Sequence, residues 1–367
     1  MNTAQTRAAI ENILNEEKRR EAVEELEARW AGHLDKAISA GGGLGGLAVP
    51  EREPIMGKWF KKGDLGFIYG PRGLGKTWLA MFMARKCAEG GGLSSLPEWN
   101  VHGTRRVLYV DGEMPLDGTR ERDVALAAGG APGLFYLHHE ALFHRTGEAL
   151  NLTDPWAQTA LLKRCLRDKI EILFLDNLSC LFSGMRENDA DAWDGVLPWL
   201  LDLRRNRIAV VFVAHSGRNG LMRGTSRRED AAFWIIGLSE LRSAAESQQG
   251  AKFLTQFMKN RNATEAECPP LEWGFIRPPN DPKVIVTWKK LSVPILFRQC
   301  IEGGVSSATE IAEMMGISKA QVSRYAATAM KEGWLRKSGR SYALKKPNPF
   351  APGWTQRPTG SEMARNE

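Results

Sequence analysis

The feature that most narrows the fold is the run GFIYGPRGLGKTWLAMFMA, from Gly66 to Ala84. Apolar and aromatic residues lead into the turn Gly70-Pro71-Arg72-Gly73-Leu74-Gly75-Lys76-Thr77, and an apolar helical pattern opens at Trp78. This is strand, tight turn and helix in the spacing Gly-x-x-x-x-Gly-Lys-Thr. Glycines at 70, 73 and 75 let successive backbone N–H groups turn inward, and the following helix aims its positive end at the same point. Lys76 adds a point charge suited to β and γ phosphates, and Thr77 adds a hydroxyl suited to Mg²⁺. Residues 70–78 are therefore expected to cradle nucleotide phosphates.

Such a turn needs an acid to hold the metal at the end of a neighbouring strand. IEILFLDNLS supplies a buried strand ending in Asp176. It also needs a group to activate water. VLYVDGEMP ends a strand at Asp111 and presents Glu113 just beyond, so Glu113 is the candidate general base and Asp111 a turn residue, or the two exchange roles.

Strand-like runs at 65–69, 107–110, 134–137, 170–175 and 208–214 alternate with helical patterns such as 78–88, 156–166 and 190–204. Short apolar strands between helices predict an α/β fold with a parallel sheet covered on both faces. Runs at 253–258, 271–275 and 283–288 read as antiparallel edge strands, with turns at CPP and RPPNDP. Before this core, residues 1–46 form a helical arm and linker. Val23, Leu26, Trp30, Leu34 and Ile38 recur at helical spacing there, and GGGLGG breaks the chain after them. The apolar stripe suits packing on its own domain or on a neighbouring subunit.

Residues 291–346 read as a winged helix-turn-helix. Ser307-Ala-Thr-Glu310 and Ser318-Lys-Ala-Gln321 are capping boxes opening two helices, and WLRKSGRSYAL is a hairpin with its turn at Ser338-Gly339. The recognition helix is expected over 319–332, with Val322, Ala326, Ala329 and Met330 inward and Gln321, Arg324 and Thr328 outward. Gln321 and Arg324 suit base edges, while Arg336, Lys337 and Arg340 on the wing suit phosphates. The tail from 347 carries no periodicity and is expected to be disordered.

Composition bounds the class. The 367 residues fit about two domains plus terminal arms, 43% are hydrophobic, and the net charge is +7, which leans towards an acidic partner such as nucleic acid. The 5 cysteines include no Cys-x-x-Cys pair, arguing against a zinc site or a disulfide framework. The N-terminus lacks a signal-type apolar segment and no apolar run reaches membrane-spanning length, so a cytoplasmic protein without membrane contact is expected.

The order of segments is phosphate loop, DGEMP, LFLDNL, VAHSGRNGLMRGTSRREDAAFWIIGL and FMKNR. It resembles the RecA-fold P-loop ATPases, particularly the RepA-type hexameric replicative helicases of plasmids and phages, over roughly residues 55–288. The resemblance implies a RecA-like core with ATP and Mg²⁺ as ligands, and Glu113 as the catalytic acid. It makes His215 a γ-phosphate sensor at a strand end, where family members often carry two histidines and this chain has Ala214 in the first place. It makes Lys259 and Arg261 a pair reaching the neighbouring subunit's ATP, the guanidinium acting as an arginine finger. A homo-oligomer, six subunits by resemblance, would follow.

Arg218, Arg223, Arg227 and Arg228 lie on a glycine-punctuated loop just past His215 and suit a moving grip on single-stranded DNA. The segment 183–191 is a second channel-loop candidate, acidic except for Arg186. Two functions follow as expectations: a ring helicase or translocase on single-stranded DNA, or a DNA-binding regulatory or assembly ATPase that switches state without unwinding. A KaiC-like signalling ATPase shares such a core but often carries paired acids at the catalytic position, so it ranks below both. No small-substrate pocket is legible, which disfavours a metabolic kinase.

Overall fold

The structure is a computed structural model and describes residues 3–46, 51–93, 95–126, 131–185, 193–217, 226–240, 250–279, 281–315 and 319–345. The chain divides into two compact units, Met1–Glu51 and Arg52–Glu367. The first holds a long helix, α1 (Thr3–Ala37), and the glycine run forms a 3₁₀ segment, Gly41–Gly46. Val23, Leu26, Trp30, Leu34 and Ile38 are all solvent-exposed.

The second unit is built on a 9-stranded sheet in the order β11-β10-β9-β8-β3-β7-β6-β4-β5. Its parallel part comprises β3 (Leu65–Gly70), β4 (Val107–Asp111), β5 (Leu134–His138), β6 (Ile172–Asp176), β7 (Ala209–His215) and β8 (Trp234–Glu240). The antiparallel edge comprises β9 (Gly250–Asn260), β10 (Leu271–Ile276) and β11 (Ile285–Lys290). Two short strands, β1 (Pro54–Met56) and β2 (Phe60–Lys61), pair apart from it.

Every residue of β3, β4 and β6 is buried, as a parallel strand covered on both faces requires. Side chains alternate between two cores. Ile68, Tyr109 and Phe174 face one that contains α2 (Lys76–Glu89) and an aromatic cluster of Trp59, Trp99, Trp234 and Trp273. Phe67, Tyr69 and Leu173 face the other, with α5 (Pro155–Arg167) and α7 (Leu197–Arg205).

Strand β8 is absent from the expectations above. Its apolar run FWIIGLSE directly follows a basic stretch and is cut by Gly237. That glycine has a packing cause: an added Cβ would lie 3.1 Å from the Tyr69 hydroxyl and 3.2 Å from Met258 Cγ. The helix expected over 190–204 appears as Leu197–Arg205, opening with Pro198 near its start, and residues 190–192 lie outside the described residues.

The C-terminal elements are α9 (Val293–Glu302), α10 (Ala308–Met315), α11 (Lys319–Lys331) and a hairpin of β12 (Leu335–Ser338) and β13 (Ser341–Leu344). Ser292 caps α9, and Ser307 Oγ accepts the Glu310 N–H at 3.1 Å in the first turn of α10. Val322, Ala326 and Ala329 are buried as expected, but Met330 is 38% exposed. Tyr325 takes up that packing, its ring 6.4 Å from Phe297. Leu254 of β9 and Leu291 share this core, and Gln256 donates to the Met315 carbonyl, so these helices are built onto the sheet edge. Residues 347–367 lie outside the described residues. Among the described residues no helix is long and apolar enough to cross a membrane.

Candidate functional site

The carboxyl ends of β3, β7, β6 and β4 lie side by side, which is where ligands bind in open parallel sheets. The register pairs Gly70 with His215 and Asp111 with Asp176. Ser216 N–H donates to the Gly70 carbonyl at 3.0 Å, pinning the end of β7 to the first glycine of the loop.

Gly73 and Gly75 both adopt positive φ, +74° and +112°. Gly75 is doubly constrained, because an added Cβ would come within 2.6 Å of the Phe253 ring. Immediately after it Lys76 opens α2, so the helix N-terminus faces the loop. Lys76 is buried and donates from Nζ to the Pro71 carbonyl at 2.7 Å, closing the loop on itself. Burial lowers its pKa, and the charges of Asp176 and Glu113 pull it back up.

Asp176 is 1% exposed. One carboxylate oxygen accepts the Tyr109 hydroxyl at 2.6 Å, and the other, Oδ1, is buried with no hydrogen-bond partner. Burial pushes its carboxyl up to about 6, against the hydroxyls of Tyr109 and Thr77. A buried carboxylate with one bare oxygen beside a threonine hydroxyl fits a small hard cation such as Mg²⁺. Among the described residues no group of three or more His, Cys, Asp or Glu forms a metal cage by itself.

Asp111 and Glu113 have distinct roles. Asp111 Oδ1 accepts the N–H groups of Glu113 and Met114, each at 3.0 Å, and Oδ2 accepts Thr119 Oγ at 2.5 Å. Asp111 is therefore the clamp of the 111–119 turn, and Glu113 projects from it. Glu113 Oε1 lies 3.9 Å from His215 Nε2. Asn177, absent from the expectations, donates to Glu113 Oε2 and lies 3.2 Å from His215 Nε2.

Gly73, Gly75, Lys76, Thr77, Glu113 and His215 line a cavity of about 560 Å³. It continues past Trp78, Arg122 and Arg277. Arg122 lies 5.2 Å over the Trp78 ring, and Arg277 pairs with Glu121 at 2.6 Å. Pro71 and Leu74 are half-buried, and Arg72 is exposed at the tip of the loop.

Arg261 stands at the end of β3 opposite the phosphate loop, and Lys259 is level with the middle of that strand. Ile235 pairs with both Lys259 and Phe67, and Arg261 N–H bonds the Phe233 carbonyl where β3 begins. Along the strand Arg261 therefore stands ~17 Å from Gly70 and Lys259 ~10 Å from it, and both side chains turn away from their own chain's phosphate loop. Lys259 donates to the Glu229 carbonyl and Arg261 to that of Asp230 at 2.8 Å, both at the end of α8 (Ser226–Ala231).

Arg218 and Arg223 lie outside the described residues, as does Arg186. Arg227 and Arg228 fall in α8, with side chains outside the described residues. On the C-terminal elements Arg324, Arg336, Lys337 and Arg340 are exposed, and Gln321 is half-buried.

A phosphate loop leaving a central parallel strand, with a buried aspartate two strands away and an acid beyond the next, is the arrangement of a P-loop nucleotide-binding core of RecA-like type. The AAA domain family matches residues 39–220, the segment that carries the loop, Glu113, Asp176 and His215. No curated protein sequence matches the chain. Among solved structures, a KaiC-like protein of the hyperthermophilic archaeon Pyrococcus horikoshii is 13% identical, with a TM-score of 0.43. The match covers 65% of this chain and 100% of that one, a distant likeness that adds nothing to the reading of the site.

Proposed function

We propose that the chain is an ATP-driven helicase or translocase that works as an oligomeric ring, with six subunits, on single-stranded DNA in plasmid, phage or mobile-element replication. The observation that carries this reading is the placement of Arg261 a full strand length from its own phosphate loop, with Lys259 beside it and turned the same way onto the end of α8. A finger pair so placed serves an adjacent subunit's nucleotide. Both residues rest on carbonyls at the end of α8, whose start continues the arginine loop that would hold DNA.

In the proposed reaction Lys76 and the loop N–H groups hold the β and γ phosphates of ATP. Thr77 and Asp176 would hold Mg²⁺, which supplies charge neutralisation at the phosphates. Glu113 takes a proton from the attacking water as the oxygen bonds to the γ-phosphorus and the bond to the β-phosphate oxygen breaks. His215, on the strand end pinned to Gly70, senses the γ-phosphate. Arg261 from a neighbour neutralises charge in the transition state.

A second reading, a DNA-binding regulatory ATPase that switches state without unwinding, draws on the C-terminal helices and hairpin fused to the sheet edge. Read as a winged helix, these elements would offer Arg324, Arg336, Lys337 and Arg340 to duplex DNA.

ATP hydrolysis with and without single-stranded DNA, measured alongside displacement of a forked duplex strand, separates the two. The motor predicts stimulated hydrolysis and displacement. Stimulation without displacement would favour the switch and sink the motor.

A further inference from the structure

We propose that Asn177 is a positioning residue that aims the Glu113 carboxylate at the attacking water and couples that aim to His215. The inference rests on the reading of Glu113 as general base and deepens it. Asn177 directly follows β6, which lies between β4, the strand that leads to Glu113, and β7, which ends at His215. It is 1% exposed, so its amide is fixed among protein groups.

Its two ends are committed to different tasks. Oδ1 accepts the Cys180 N–H at 3.0 Å and caps α6 (Leu178–Leu181). That bond settles which way the amide faces, leaving Nδ2 towards Glu113 and His215. The two Nδ2 hydrogens then serve Glu113 Oε2 and His215 Nε2. An imidazole that accepts at Nε2 carries its proton on Nδ1, so the amide selects one neutral tautomer of His215.

Asp111 holds the main chain of the 111–119 turn, but the Glu113 side chain is 42% exposed and needs a partner of its own to keep one orientation. A base must sit within hydrogen-bond reach of the proton it removes, and a shift of about 1 Å is costly. Asn177 supplies that hold. Because one amide serves both groups, movement of His215 away from Nδ2 also alters the restraint on Glu113. The γ-phosphate sensor and the base are thereby joined through a single side chain.

The competing role is a helix cap alone. Asp and Ser cap helices as well as Asn does, but neither supplies an amide donor. N177D and N177S therefore preserve the cap and remove the bridge.

Both variants are expected to melt near the wild-type temperature and to bind a fluorescent ATP analogue with wild-type affinity. Their KM should be unchanged while kcat falls about tenfold to a hundredfold. In an E113Q background, adding N177S should have no further effect, because the residue acts through Glu113.

Wild-type or raised kcat in N177S and N177D would overturn the inference. So would a loss shared between KM and kcat, or a full further loss in the E113Q background. Undiminished hydrolysis by E113Q alone would instead remove the underlying reading of Glu113, a result distinct from failure at Asn177.

Discussion

Replacing Asp176 with Asn sets the needs of the fold against those of the cation. Burial lifts the Asp176 carboxyl from 3.8 to about 6 despite two nearby hydroxyls. Below about pH 3.8 the folded and unfolded chains both hold the proton, and no charge is buried. Between 3.8 and 6 the unfolded chain releases its proton while the fold retains it, so stability falls as pH rises. Above 6 the penalty is complete, and the gap at ~1.4 kcal/mol per pH unit comes to about 3 kcal/mol.

Asn keeps an acceptor for the Tyr109 hydroxyl and carries no charge. Without nucleotide, D176N should therefore exceed wild type in stability by up to about 3 kcal/mol near pH 7.5 and match it near pH 4. Urea unfolding followed by the fluorescence of buried Trp59, Trp99, Trp234 and Trp273 reads this difference. Adding ATP with Mg²⁺ should then stabilise wild type and do little for D176N, because the ligand binds the folded state through the missing carboxylate. A D176N protein less stable than wild type near pH 7.5 without nucleotide would refute the reasoning. It would mean that the carboxylate is a net support of the fold and is not held ready for a cation.

Three further substitutions follow from the geometry. G75A forces a side chain into φ +112° and 2.6 Å from Phe253, so it should cost roughly 1–3 kcal/mol in unfolding assays and abolish nucleotide binding. G66A would place a Cβ 2.1 Å from the Trp234 ring across the β3–β8 pair and should destabilise by about 3 kcal/mol, read by thermal melting. E113Q should lower hydrolysis about 10²–10⁴-fold while ATP binding, measured by calorimetry, stays intact.

The strands at the centre of the sheet were legible because strands buried on both faces read as unbroken apolar runs, as LGFIYG and ILFLD do. Strand β8 escaped that rule because its run WIIGLSE turns polar at Ser239 and Glu240. The places of Asp176, His215 and Glu113 on or just after strand ends are ones that a linear pattern marks, and the glycine spacing marks those of Lys76 and Thr77 at the start of α2. Asn177 was not so marked. An amide following an aspartate reads as a helix cap, which it also is. Its contacts to Glu113 and His215 arise from the neighbouring carboxyl ends of β4, β6 and β7, a matter of strand order that the sequence does not print. The misplacement of Met330 has a simpler cause: at the last turn of α11 the helix face has rotated past the core that Tyr325 and Phe297 fill.

The claim that the ATP site is shared between subunits is tested most directly by mixing two inactive variants, R261A and K76A, and measuring ATP hydrolysis. In a randomly mixed ring, an intact site needs Lys76 from one variant beside Arg261 from the other. Equal mixing should then restore about a quarter of wild-type activity if sites act independently. A mixture as inactive as its parts, with assembly of mixed oligomers confirmed, would contradict the shared site.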